Sequence, residues 1–153
     1  MKDILPKIEK IAEEINDKLS KGNFKKLTDL PPPKQGIYII KEDSNRLFKG
    51  KIFYVGKSTN LFNRIIRQHS SKKDNLANSQ LRIKLNKKGM KYDKISDYLN
   101  NECSFIIQDI NDYDINTIVE DLFIAILRKQ GEPLLNHIKK CKETPKKTLS
   151  ISF

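Results

Sequence analysis

Two short runs decide the fold: Gly36-Ile37-Tyr38-Ile39-Ile40-Lys41 and Lys51-Ile52-Phe53-Tyr54-Val55-Gly56. Both are rich in β-branched and aromatic side chains, which pack well on a pleated, half-buried surface. They bracket the polar stretch Glu42 to Gly50, and the pattern predicts a hairpin with a longish loop. Cys103 to Ile107 is a third apolar run, short enough for a buried strand. Helical patterns fill the space between. Ser58 or Thr59 offers an N-cap for a helix running to about His69. Residues 76–88 predict another, closed by Gly89 at C′. Asn116 or Thr117 opens a strongly apolar helix to about Gln130, with Gly131 and Pro133 as stop signals. The order β-β-α-α-β-α predicts a small α/β (α+β) domain, a three-stranded, mainly antiparallel sheet flanked by helices.

Outside this block, Ile4, Ile8, Ile11, Ile15 and Leu19 recur at spacings of three and four, with charges between them. That is one amphipathic helix, whose stripe is expected to pack on its own domain because sustained heptads are absent. Leu30-Pro31-Pro32-Pro33 is a stiff connector that can neither continue a helix nor join a ladder. The expected organisation is a helix and connector over 1–30, a main domain over 31–138 and a basic tail over 139–153.

A chain of 153 residues with 37% hydrophobic content supports one core. Its formal charge of +11 gives long-range attraction to polyanions. Because 25 of the 30 basic residues are lysines, an ordinary solvated lysine-rich surface is the competing account. Cys103 and Cys141 lie 38 residues apart, which speaks against both a disulfide framework and a zinc site. Met1 to Leu19 mixes charge with isoleucine, unlike a secretory leader, and no apolar run approaches membrane-spanning length. A cytoplasmic protein is expected.

Gly56-Lys57-Ser58 superficially matches the end of a phosphate-binding loop, but Gly50 stands one place too early. The intervening Lys51 to Val55 has strand character where that loop needs exposed backbone amides, so nucleoside triphosphate binding is excluded. Gly36-Ile37-Tyr38, Tyr54-Val55-Gly56, the following Lys57 to Leu61 and then Arg64 together resemble the signature of the GIY-YIG nuclease family. Asn78 to Gly89 is similar to the second helix of phage intron-homing members. Val119-Glu120, Pro133 and Asn136 resemble the family's metal-binding helix and the Pro-x-x-Asn turn that follows it.

The resemblance implies that Tyr38 and Tyr54 face a common cleft, with Lys57, Arg64, His69, Glu120 and Asn136 completing a catalytic set. It implies one Mg²⁺ or Mn²⁺ per site, held by Glu120. A tyrosine hydroxyl can position or deprotonate a water only if nearby positive charge lowers its pKa from about 10, which Lys57 and a metal-bound water are expected to supply. The rival reading is that both rings simply pack. At 100° per residue Arg64 falls with Asn60, Arg67 and Gln68, off the apolar arc of Leu61, Phe62, Ile65 and Ile66. A guanidinium there suits a scissile phosphate. Where many members carry a histidine four residues after the arginine, Gln68 stands here and His69 comes one later; His137 is a second candidate.

Glu120 has two readings. Thr117-x-x-Glu120 fits a capping box, yet Glu120 shares an arc with Phe123, Ile124 and Leu127 while Asp121 falls with Arg128 on the outward side. An inward carboxylate needs a cation or donors. Asn136 either holds the phosphate or the Tyr–Glu network, or is a turn residue. Arg67, Lys57, Asn60, Lys84, Lys87 and Lys88 are the expected nucleic-acid contacts.

The resulting expectation is a one-metal DNA endonuclease, restriction-like or stand-alone, leaving 5′-phosphate and 3′-hydroxyl ends. It would act as a homodimer if it cuts both strands at a symmetric site. Its rivals are a repair or structure-specific nuclease, a catalytically inert nucleic-acid-binding module on the same fold, and a basic RNA-binding protein.

Overall fold

The structure is a computed structural model that describes residues 3–27, 29, 34–61, 64 and 80–136. Its elements are α1 (Ile4–Ser20), β1 (Gly36–Glu42), β2 (Ile52–Ser58), α2 (Gln80–Lys87), α3 (Tyr92–Asn101), β3 (Cys103–Asp109) and α4 (Tyr113–Lys129). The three strands form one sheet in the order β2-β1-β3, antiparallel throughout. This is the small three-stranded α+β architecture expected.

Alternation along β1 divides the core in two. Tyr38 and Ile40 point to one face, where they meet Leu61, Leu81, Leu85, Ile95, Tyr98 and Leu99. Ile37 and Ile39 point to the other, where α1 and α4 pack through Ile15, Ile115, Val119, Phe123 and Leu127. Side chains two apart share a face, so a strand buried on both sides reads as an unbroken apolar run. Ile15 is fully buried among sheet residues, so the stripe of α1 packs on the same unit that carries the strands.

The register shifts between Ile40 and Lys41, which pair with Tyr54 and Ile52 and leave Phe53 as an extra residue on β2. A bulge of this kind re-aims side chains. As a result Phe53 and Tyr54, although consecutive, both join the cluster around Tyr38. Phe53 stacks on Phe48 with ring centroids 4.3 Å apart, which closes the hairpin loop over the sheet.

Two expectations need correction. Tyr92–Asn101 forms a helix where the sequence reading assigned no element. Its buried Ile95, Tyr98 and Leu99 have helical spacing, but Asp, Asn and Ser between them obscure it. Secondly, α4 begins at Tyr113, not at Asn116 or Thr117, because Asp112 is the N-cap and accepts from the amide of Ile115 at 3.0 Å. β3 is the buried third strand expected, standing at the edge of the sheet. Two hydrogen bonds of 2.8 Å between Lys25 and Phe105 cover its outer side. Gly89 and Gly131 follow α2 and α4 at positive φ, as their stop signals predicted. The expected helix to His69, the start of the 76–88 helix and the basic tail lie outside the described residues. Among the described residues no helix is long and apolar enough to cross a membrane.

Candidate active site

The two glycines of the paired triplets are required by close approach. Gly56 lies opposite Tyr38 in the β1–β2 ladder. A Cβ there would fall 2.2 Å from Tyr38 Cζ and 2.3 Å from its Oη, so the ring of Tyr38 lies across the space that Gly56 leaves empty. At Gly36 a Cβ would meet the carbonyl oxygen of Gln108 at 2.0 Å, which fixes how tightly β1 and β3 come together.

Tyr54 pairs with Ile40, and Tyr38 pairs with Gly56, so the two tyrosines are diagonal neighbours on one face. Their ring centroids are 6.1 Å apart and tilted by 34°. Both are buried, Tyr38 at 1% and Tyr54 at 9% exposure. Burial pushes the Tyr38 hydroxyl well above its ordinary value, and the charges of Tyr54 and Glu120 add to the rise while Arg64 opposes it. Burial likewise raises Tyr54, to about 12, with Glu120 adding and Arg64 opposing. Four of the expected residues, Tyr38, Tyr54, Arg64 and Glu120, therefore lie within electrostatic reach of one another.

These directions run opposite to the lowering expected for a tyrosine base, because burial favours the neutral hydroxyl. Lys57 is also not their cationic neighbour. It pairs with Ile37, on the opposite parity, and its Nζ donates to Thr117 Oγ1 at 2.8 Å while lying 5.1 Å from the Tyr113 ring centre. The positive charge beside the tyrosines comes from Arg64. Its amide donates to the Asn60 carbonyl at 3.0 Å, one helical turn back. Ser58 starts that turn, its Oγ accepting from the Asn60 amide at 3.0 Å.

On α4, Glu120 stands in the second turn, beyond the reach of a capping box, and Thr117 donates instead to the Tyr113 carbonyl at 3.1 Å. The capping reading of Glu120 therefore fails. Asn116, one turn before it, is 1% exposed and reaches the Ser58 carbonyl at 3.5 Å, while its Oδ1 has no hydrogen-bond partner among the described residues. Asn116 was legible only as a helix opener; the signal that it neighbours the site is its i, i+4 relation to Glu120.

Asn136 uses its side-chain amide on β2. Oδ1 accepts from Val55 N at 3.0 Å and Nδ2 donates to Val55 O at 2.6 Å, as an adjoining strand would. The Leu135 amide adds a bond of 2.8 Å to the Phe53 carbonyl. The turn after α4 thus seals the open edge of β2 on either side of Tyr54.

Lys84 is half-buried and Lys87 and Lys88 are exposed on α2, and Asn60 is exposed beyond β2. Arg67, His69 and His137 lie outside the described residues. Among the described residues no group of three or more His, Cys, Asp or Glu side chains could hold a metal. Two clefts of about 570 Å³ flank α1, and neither takes in the tyrosine pair, Arg64 or Glu120.

Residues 34–107 match the model of the GIY-YIG catalytic domain, a stretch that contains β1, β2 and most of β3 with both tyrosines and Arg64; Glu120 and Asn136 lie beyond it. Comparison with curated proteins and with solved structures gives no match. The two triplets, the close-packed glycines that juxtapose their tyrosines, and the matched domain model agree: this chain carries a GIY-YIG catalytic domain over residues 34–107.

Proposed function

We propose that the chain is a DNA endonuclease of restriction-like or stand-alone type that hydrolyses a phosphodiester to a 5′-phosphate and a 3′-hydroxyl. The observation that carries this reading is the convergence of Tyr38 on β1, Tyr54 on β2, Arg64 on the turn after β2 and Glu120 on α4. A water oxygen attacks phosphorus, a new P–O bond forms, the P–O3′ bond breaks, and the 3′ oxygen takes up a proton. Arg64 stabilises the charge that grows on the phosphoryl oxygens. Tyr38 and Tyr54, neutral and buried, hold the water and the phosphate by hydrogen bonds. Asn136 acts as a positioning residue through Val55.

A divalent cation fits the donor set. Glu120 is a hard oxygen ligand, and Mg²⁺ or Mn²⁺ needs only one or two protein carboxylates when water and phosphate complete its shell. When bound, such an ion would supply positive charge at the phosphate oxygens and lower the pKa of a neighbouring water. Glu120 would hold it, one ion per site. Lys57, Asn60, Lys84, Lys87, Lys88 and Arg67 would supply backbone contacts, and His69 is a further catalytic candidate. Double-strand cutting at a symmetric site would require a homodimer or successive nicks.

The test uses supercoiled plasmid with wild type and Glu120→Gln, in Mg²⁺ and in chelator. Metal-dependent nicking that falls at least 100-fold in the variant is the expected result. DNA binding by both proteins with no cutting of plasmid or of branched duplexes would replace this reading with that of an inert binding module.

A further inference from the structure

Asn116, Val119, Phe123 and Leu127 recur at spacings of three and four along the buried side of α4. Three of them are the apolar residues that such a stripe calls for; the fourth is a carboxamide at 1% exposure. Asn116 is therefore a polar group in a core-facing slot, where a polar atom without a partner is costly. Its Nδ2 donates to the Ser58 carbonyl at 3.5 Å, and its Oδ1 has no partner among the described residues. The next residue, Thr117, accepts from Lys57 Nζ at 2.8 Å. Two consecutive residues of α4 are thus joined to two consecutive residues at the end of β2. Ser58 in turn accepts from the Asn60 amide, and the Asn60 carbonyl accepts from the Arg64 amide. Asn116 accordingly stands between the turn that carries Arg64 and the helix that carries Glu120, one helical turn before that carboxylate.

A buried acceptor left open in this way calls for a water or an ion that completes it. We propose that Asn116 is a positioning residue of the cation site: its Oδ1 accepts a hydrogen bond from a water of the divalent ion held by Glu120, while its Nδ2 keeps the Ser58 carbonyl. The Ser58 carbonyl fixes which end of the amide faces it, since it accepts only from N–H, and this turns the oxygen to the other side. Side chains four apart on a helix stand about 5–6 Å apart at Cβ. A water about 2.1 Å from its ion and about 2.8 Å from an acceptor spans a comparable gap. A neutral carboxamide suits the place, because it accepts from an acidic water without setting a second buried charge beside Glu120. It also serves both ends at once, so the shell of the ion and the turn of Arg64 are tied through one side chain. The inference rests on Glu120 holding the ion and adds the residue that orients the ion's shell.

Mn²⁺ binding is followed by the electron paramagnetic resonance of free Mn²⁺, without DNA, for wild type, Glu120→Gln, Asn116→Leu, Asn116→Ala and Asn116→Asp. Asn116→Leu and Asn116→Ala differ in volume but both lack the acceptor, and each is expected to raise the Kd about 10-fold or more, as losing a group that orients a metal's shell does. Asn116→Asp keeps an oxygen while losing the donor to Ser58, and is expected to bind Mn²⁺ at least as tightly as wild type. Melting in chelator is measured in parallel, because loss of the Ser58 contact by itself moves Tm without any ion. A wild-type Kd in either apolar variant that keeps the wild-type circular dichroism overturns the proposal. So does an equal loss of affinity in Asn116→Asp, which would leave Asn116 a structural link only. Should neither apolar variant fold, Asn116→Asp alone decides between the same two results. Glu120→Gln separates the two readings: if it abolishes binding, the Asn116 variants judge this inference alone, whereas binding that survives in it, or is absent from wild type, refutes the Glu120 site and this inference with it.

Discussion

Gly56→Ala tests the geometry of the site more directly than any change to its polar groups. The added methyl carbon would stand 2.2 Å from Tyr38 Cζ, 2.3 Å from Oη and 2.6 Å from Cε1. Non-bonded carbons rest at about 3.5 Å or more, so the ring must withdraw by more than about 1 Å. Tyr38 is 1% exposed, so its ring is held among neighbouring side chains. Overpacking of this kind costs roughly 1–3 kcal/mol, which lowers Tm by roughly 2–12 °C in a protein of this size. A misplacement of about 1 Å at a reacting centre costs on the order of 100-fold in rate. Thermal unfolding followed by circular dichroism and plasmid nicking under single-turnover conditions measure the two effects. The double variant Tyr38→Ala/Gly56→Ala isolates the contact: with the ring gone, the second methyl meets nothing at that point, so Gly56→Ala should cost about 1–3 kcal/mol less in that background. A Gly56→Ala protein with unchanged Tm and nicking within about threefold of wild type would refute the reasoning, because the ring of Tyr38 would then not lie across residue 56.

Two further outcomes follow from the same packing. Asn136→Ala leaves the amide and carbonyl of the buried Val55 unpaired at the sheet edge; about 1–3 kcal/mol of stability should be lost by denaturant titration, together with cleavage activity, and an unchanged midpoint would show that the edge is sealed otherwise. Glu42 is fully buried and accepts from the amides of Leu47, Phe48 and Gly50 and from Tyr98 Oη. Burial alone would raise its pKa, but these donors together outweigh it and hold the carboxyl below the ordinary 4.5. A depressed folded-state pKa contributes stability that is present above pH 4.5 and lost as pH falls through the lower value. Tm measured from pH 6 to 2 should therefore fall more steeply for wild type than for Glu42→Gln, and parallel curves would contradict this.

The sequence by itself determined the strands, the outer helices and the family, because each rests on local information. β-Branched runs set β1 and β2, the three-to-four stripe set α1, and Gly36 and Gly56 marked where a strand backbone or a tyrosine ring must come close. It also put Tyr38, Tyr54, Arg64 and Glu120 forward as a set, through the spacing of the motifs. Three matters only the tertiary structure decided. The bulge at Phe53 sets which face Tyr54 takes, and a bulge depends on cross-strand register, which no single strand encodes. The upward shift of both tyrosine hydroxyls follows from burial against α2, α3 and the neighbouring strands, and Lys57, expected beside them, turns instead to Thr117. Arg128 joins Lys84 because the end of one helix docks beside another 44 residues away in sequence, and that convergence comes from packing rather than from any pattern along the chain.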